Sequence, residues 1–485
     1  MQRPASPVET DSPIHPKPEP HTMNHIDIAS RRELFVDDHL IDRFDGDAHL
    51  KLHPPKREDV VFQVTGPLEN ACSGVYNVLV QHQDNYLLYY RGNYPTGENA
   101  GDHSDLQTAN VAISDDGIHF NRPELKIFDL GDGGRNNVVW QGIQAHNLVA
   151  FRDANPDCKP DQRFKAVGGT GKDNLYALYS PDGFQWRLAQ DTPLDVPGAF
   201  DSANVALWDA VIGKYRLFSR FFEEGRGRAI QSSTSDDFCH WTPPAPHRYD
   251  EDAPFEQFYT NATVPVPGAE HLLLSFPMRY VAERATPVQD ISAMDYPGTG
   301  DPGMAGMTDA VMMSSRDGVH WRRPFPEAWL RPGLDQRNWT HRNTCPAVGI
   351  LPLRETEWSM YVSEHYGWPD NQLRRLSLRP WGFAAINAGR RRGHVITKPL
   401  TFDGAQLRIN FATSAVGSVR VELQDPDRRP IPGHALDDMP PIFGDRLDLP
   451  VSWNDNPDLR PLAQRPVRLR FELTDADVFS FRFAD

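Results

Sequence analysis

Short runs of crowded apolar and aromatic residues recur along residues 65–395, each four to six long and bounded by Gly, Pro, Asn or Asp: 86–90 (YLLYY), 175–179 (LYALY), 215–219 (YRLFS), 271–276 (HLLLSF) and 358–362 (WSMYV). Runs of that length and composition predict β-strands, and no long stretch carries helical periodicity. From Thr397 the pattern changes to strict alternation, as in 407–411 (LRINF), 418–423 (SVRVEL), 467–473 (VRLRFEL) and 479–483 (FSFRF). Alternation describes strands with one buried face, so a β-sandwich is predicted for 397–485.

A phrase of the form Ser-x-Asp-Gly-x-x-aromatic follows a strand run in the first part. It begins at Ser114, Ser180, Ser235 and Ser315, with Phe238 standing where the third copy would have Gly, and a degenerate copy lies within 376–383 (LSLRPWGF). Asp-Gly suits a tight turn with φ > 0, and the spacing of 66, 55 and 80 residues matches a four-stranded unit. Five such units predict a five-bladed β-propeller over 31–396, with the segment 33–42 (ELFVDDHLID) closing the ring against the last blade. The expected fold class is therefore all-β, a propeller followed by a sandwich. Asp115, Asp116, Asp182, Asp236 and Asp317 belong to the repeated turns. Residues 278–308, rich in Met, Pro and Gly, read as a loop over one face.

With 485 residues, two domains are the default. A net charge of −16 without a basic stripe argues against nucleic acid or an anionic membrane as partner. Residues 1–30 are expected to be a disordered tail; they hold no signal-peptide core, and no apolar run reaches membrane-spanning length, so a cytoplasmic location is the default expectation. Cys72, Cys158, Cys239 and Cys345 form neither a CxxC pair nor a disulfide framework, and reduced thiols are expected. Walker, dinucleotide-glycine, GxSxG and HExxH signatures are missing, and no cofactor or metal is expected.

In a propeller, polar groups at the start of each innermost strand converge on one mouth of the central channel. The chain supplies such groups once per unit: Tyr76, then His146 with Asn147, Asp201 with Asn204, Tyr259 with Asn261, and His341, Arg342 and Asn343. A second ring is expected from Arg91, Asp153, Arg220, Arg279 and His365 at strand ends. Together these are the candidate substrate-binding residues. Glycosidic cleavage needs paired carboxylates, and Asp201, Glu256, Asp309 and Glu364 are the acidic residues placed on the channel side, hence the candidate catalytic set.

The repeated phrases and the trailing alternating strands together resemble the five-bladed propeller glycoside hydrolases of families 32, 43 and 68. The stretches RELFVDDHLID, FDSANVALWD, NWTHRNTCPAVGILP and VRLRFELTDADVFSFRF are similar to a bacterial subgroup related to family 32. The resemblance implies a glycoside hydrolase in which Asp201 stabilises the transition state and Glu256 is the acid. The first blade departs from it: Gly74-Val75-Tyr76-Asn77 offers no nucleophilic carboxylate. Three routes stay open: an inverting reaction with Asp309 or Glu364 as base, an unusual nucleophile such as Tyr76, or loss of hydrolysis. A glycoside phosphorylase and a non-catalytic carbohydrate-binding propeller are the alternatives. The expected partner is a carbohydrate, with the sandwich as the surface for any homo-oligomer.

Overall fold

A computed structural model describes residues 25–92, 107–288, 291–295 and 305–485. The chain is all-β; among the described residues, helix is confined to isolated three-residue 3-10 turns. The first 24 residues of the expected tail lie outside the described residues, but Ile26–Ala29 is a strand, paired in parallel with Leu400–Phe402.

Five antiparallel sheets follow one another along the chain. Sheet I holds Val78–His82, Asn85–Arg91, Thr108–Ser114 and Val138–Gln141; sheet II holds Val149–Arg152, Phe164–Gly169, Leu175–Ser180 and Arg187–Leu188. Sheet III holds Val205–Asp209, Lys214–Glu223, Gly227–Ser235 and Ala245–Pro246, and sheet IV holds Thr263–Val266, Ala269–Ser275 and Met313–Ser315. In sheet V, Cys345–Pro346, Glu357–Glu364 and Gln372–Leu378 are joined on the outside by Lys56–Gln63, a strand from before sheet I. Lys56–Gln63, rather than the segment 33–42 expected there, thus forms the outer edge of sheet V. Glu33–Leu34 pairs instead with Ser480 and Phe481 in the C-terminal sheet, where its apolar neighbours Phe35 and Val36 are fully buried. Of the predicted 278–308 loop, Met278–Val281 and Met307–Ala310 are strands that pair with each other and with Gln257–Phe258 in a small sheet beside sheet IV. Residues 289–290 and 296–304 of that loop lie outside the described residues.

The repeated phrase forms one turn four times. The Ser hydroxyl accepts the backbone N–H three residues on, at 2.8–2.9 Å, and Oδ1 of the Asp at the third position accepts the next two N–H groups. The Asp residues so used are Asp116, Asp182, Asp237 and Asp317, so Asp115 and Asp236 flank the turn rather than build it. The fourth position takes φ of 69–83°, which favours Gly and is met by Phe238 in the third copy. Each turn is also tied to the preceding sheet. Tyr361 of sheet V donates to Gly117 O, Tyr89 of sheet I to Gly183 O, Tyr179 of sheet II to Asp237 O and Ser232 of sheet III to Gly318 O. These ties join the sheets in the order V, I, II, III, IV, and a bridge between Val78 of sheet I and Val348, just after the first strand of sheet V, links those two sheets a second time. The first strands of sheets I to IV and the segment 348–351 that follows the first strand of sheet V line one cavity of about 360 Å³, walled by Val78, Val149, Val205, Val264 and Val348.

The C-terminal strands Gln406–Gln424 and Arg468–Ala484 form a long antiparallel pair over a core of Leu407, Ile409, Phe411, Val421, Leu469, Phe471, Phe481 and Phe483, with Phe402 stacked on Phe483 at 3.7 Å. Ile41–Gly46, His49–Leu52, Ala384–Ala388 and Gly393–Thr397 belong to the same sheet. Sheet pairing therefore assigns residues 26–52 and 384–397 to the C-terminal unit, not to the 31–396 unit expected from sequence.

Candidate functional site

Each of the five sheets is entered through a short polar loop carrying an Asn. Asn204 Nδ2 donates to Phe200 O and Ser202 O, Asn261 Nδ2 to Ala203 O and Phe218 O, and Asn343 Nδ2 to Thr340 Oγ1, His341 O and Tyr366 O. All three are buried, so they are ties for the loops rather than the ligand-facing groups that the repeat suggested. Buried carbonyls without a partner are costly, and an amide at a fixed offset satisfies them once per unit.

One consequence of these ties is the placement of Asp201. Its loop is gripped by Asn204, by Ser202 Oγ donating to Tyr259 O at 2.6 Å, and by Phe200, whose ring is fully buried. The Asp201 side chain keeps 36% of its surface open, and Oδ1 lies 2.9 Å from Nε2 of the fully buried His146. Nδ1 of His146 meets Gln107 Oε1 at 2.6 Å. Burial pushes the Asp201 carboxyl up, but the His146 hydrogen bond and the charges of His146, Arg342 and Arg220 outweigh it and hold the group well below the usual carboxylate range. Asp201 is an ionised carboxylate throughout ordinary pH.

It opens on a pocket of about 730 Å³, lined also by Lys172, Asp173, Arg220, Phe222, Arg228, Gln231, Tyr259 and Arg342. The guanidinium carbons of Arg220 and Arg228 each lie 5.0 Å from the centre of the Tyr259 ring, and that of Arg342 lies 5.4 Å away, within cation–π range. Arg342 also donates to Tyr366 Oη at 3.1 Å. His341 sits edge-on to Tyr259 and Tyr280; burial and then the Arg342 and Arg228 charges lower it to about 2, so it is a neutral ring.

Several expected residues lie elsewhere. Glu256 and Asp309 share Arg279: Nη1 lies 2.6 Å from Glu256, while Nε and Nη2 reach Asp309 at 2.8 and 2.6 Å. Arg323 takes the other Glu256 oxygen. Both carboxylates line a side pocket of about 470 Å³ beside the small sheet, and Asp309 lines a second of about 540 Å³, with their oxygens occupied by guanidinium donors. Glu364 is buried against Arg57, Arg374 and Gln372. Of the four carboxylates expected on the channel side, Asp201 alone has no arginine hydrogen-bonded to it among the described residues. Asp153 is likewise buried, accepting from Lys165 Nζ at 2.6 Å and Tyr215 Oη at 2.7 Å. His365 is held between Asp370 and Asp335, 3.0 Å from each, and so meets neither His341 nor Glu364. Arg91 donates to Cys72 O and to Asn147 Oδ1 and reaches over the Tyr76 ring, placing Arg91, Asn147 and Tyr76 in the buried wall of the mouth. Burial raises the Tyr76 phenol well above its ordinary value, which removes it as a ready nucleophile.

Sequence reasoning missed Asp173, Phe222 and Arg228. Arg228 pairs in register with Phe222 where the second and third strands of sheet III run on to Glu223 and Gly227, so the hairpin is longer than the four- to six-residue runs used to find strands. The phrase FFEEGRGR at 221–228 was the available signal.

No protein-family model matches the chain, and no curated protein matches it. Solved structures similar to it include a glycoside hydrolase family 43 arabinoxylan arabinofuranohydrolase from Bacillus subtilis in complex with cellotetraose. That structure is 11% identical, with a TM-score of 0.40 over 87% of this chain and 97% of its own. An N-acetylgalactosamine deacetylase from F. plautii in complex with blood group B trisaccharide is 14% identical, with a TM-score of 0.41 over 70% of this chain and 95% of its own. A glycosyl hydrolase from Bacteroides ovatus is 15% identical, with a TM-score of 0.39 over 68% and 95%. At such identities and overlaps, function is read from the site itself.

Proposed function

We propose that the chain is a glycan-active enzyme that cleaves a glycosidic bond in the Asp201 pocket. The fold reading that goes with it is a five-bladed β-propeller followed by a C-terminal β-sandwich, supported by the five sequential sheets, the turn-to-sheet ties that join each to the next from V through I to IV, and the shared cavity. The observation that carries the function is an ionised carboxylate, backed by a buried imidazole, at the wall of a pocket with an aromatic floor and guanidinium sides. Asp201 stays charged, so its role is to take a proton from an attacking hydroxyl or to stabilise positive charge at the sugar carbon. Asp173 is the second carboxylate lining the pocket, held by the Gly198 N–H at 2.9 Å and half open to solvent, and it takes the place that Glu256 was expected to fill as acid.

A second reading, phosphorolysis, is favoured by one feature. Arg220 is 5% exposed, donates to Ala199 O and forms no ion pair with a described residue, so a phosphate beside Asp201 would complete its bonding. Product analysis on a panel of aryl glycosides and oligosaccharides, with and without phosphate, tests both. Asp201→Asn should lower turnover about 100- to 10,000-fold with the fold intact. Full activity in that variant sinks the assignment, and turnover only in the presence of phosphate selects the second reading.

A further inference from the structure

The Asp201 pocket carries four cationic side chains, Lys172, Arg220, Arg228 and Arg342, against two carboxylates, in a chain whose net charge is −16. Against that acidic background a local positive excess needs a reason. The cations are not all placed around Asp201. Arg220 pairs in register with Ile230, and Arg228 pairs with Phe222 two residues further along the same hairpin. Facing residues share one face of a sheet, and so do residues two apart on a strand. Arg220, Phe222 and Arg228 therefore form one patch, and all three line the pocket, while Ile230 is buried in the core beneath. One diagonal step on such a face is about 7–8 Å, of the order of one sugar unit.

The outer end of this patch has the makings of an anion site. Arg228 Nη1 donates to Gln257 Oε1 at 3.2 Å, but its Nε is buried and has no partner among the described residues. Among the described residues no carboxylate pairs with Arg228, whereas the neighbouring Arg226 is neutralised by Glu223. The Arg228 guanidinium lies 4.3 Å from the Tyr280 ring centre and 5.6 Å from that of Phe222, so aromatic faces hold it in place. Phe222 is 58% exposed, an unusual position for so large an apolar ring and a ready stacking surface for a pyranose.

We propose that this hairpin forms a subsite for an acidic sugar: the sugar next to the one that reacts stacks on Phe222 and presents its carboxylate to Arg228. The substrate class is then an oligosaccharide containing uronic acid. The inference rests on the Asp201 pocket being the substrate site, and it deepens that reading by naming what the pocket selects. A guanidinium meeting a carboxylate through a planar fork is worth more than a neutral hydrogen bond, which gives the selection its strength.

Titration calorimetry of the full chain with the hexuronates glucuronate, galacturonate and mannuronate, each beside its uncharged methyl ester, tests this without any turnover. At least one acid should bind about tenfold or more tightly than its ester, since charge-assisted bonds exceed neutral ones by that order. The preference should vanish in Arg228→Gln and persist in Arg226→Gln. Equal binding of acids and esters throughout overturns the proposal, as does a preference that survives Arg228→Gln. Inorganic phosphate competing with the acids for Arg228 also overturns it, by identifying the site as one for free phosphate. The two readings fail separately: neutral glycosides cleaved through Asp201 with no acid preference would leave the enzyme standing and remove the subsite. Acid preference in a protein that cleaves nothing would do the reverse.

Discussion

Replacing Asp153 by Ala should cost about 3–5 kcal/mol of stability and leave the activity of the folded protein unchanged. Lys165 and Asp153 are both buried, their ion pair is 2.6 Å long, and the same carboxylate oxygen accepts from Tyr215 Oη at 2.7 Å. Oδ1 accepts from the backbone of Asn155. Without the carboxylate, the Lys165 ammonium keeps, among the described residues, Gln162 O at 3.1 Å, the Cys158 sulfur and the faces of Tyr179, Tyr215 and Phe238 at 5.2, 5.3 and 6.0 Å. Those cation–π contacts soften the loss, placing the expected value near the lower end, about 3 kcal/mol. Urea unfolding followed by tryptophan fluorescence measures it. The double variant Asp153→Ala/Lys165→Met should be more stable than Asp153→Ala alone, because it removes the stranded charge. A loss below about 1 kcal/mol, or a double variant that is no better, would refute the account of the pair. Loss of activity in correctly folded Asp153→Ala would return Asp153 to the site.

The buried His247 and His341 and the half-buried His39 make stability fall in mild acid. His247, His341 and His39 are lowered to about 3, 2 and 4, first by burial and then by Arg216, Arg342 and Arg316 respectively. The unfolded chain therefore binds more protons below about pH 6.5, and stability present at neutral pH drains away as pH falls towards 4. A urea midpoint as high at pH 4.5 as at pH 7 would contradict this, and His247→Phe, which removes one of these groups from the core, should shrink the drop. Phe238→Gly should destabilise although it relieves a φ of 69°. The strain is about 1–2 kcal/mol, and deleting a fully buried ring packed on Phe151, Tyr215 and Trp241 costs about 3–5, so thermal denaturation should show a net loss. Removing residues 398–485 should give insoluble protein, since the deletion strips Gly393–Ile396, Ile386–Ala388 and Glu33–Leu34 of their paired strand; a soluble, active product would show that the two units fold independently.

What the sequence determined was local. Ser-x-Asp-Gly fixes its turn through bonds spanning two or three residues, and strand runs of the right length fix themselves by composition, so the four repeated turns and the alternating C-terminal strands could be read directly. Asp201 was legible for the same reason, at a fixed offset before the first strand of its unit. Partnership between distant residues was not legible. Glu256, Asp309 and Glu364 look like Asp201 in sequence, and only folding brings Arg279, Arg323, Arg57 and Arg374 onto them while leaving Asp201 to a histidine and an open pocket. The closing strand was misplaced likewise: 33–42 and 56–63 are both strand-like, and the edge each one joins is set by which sheet offers an unpaired backbone and a matching apolar face. Arg228 gains its meaning only from the register that sets it opposite Phe222, with a buried Nε that no sequence pattern announces. Ionic and hydrogen-bond partners 20 to 300 residues apart are decided by the tertiary fold, because the cost of burying a charge depends on what else is buried with it.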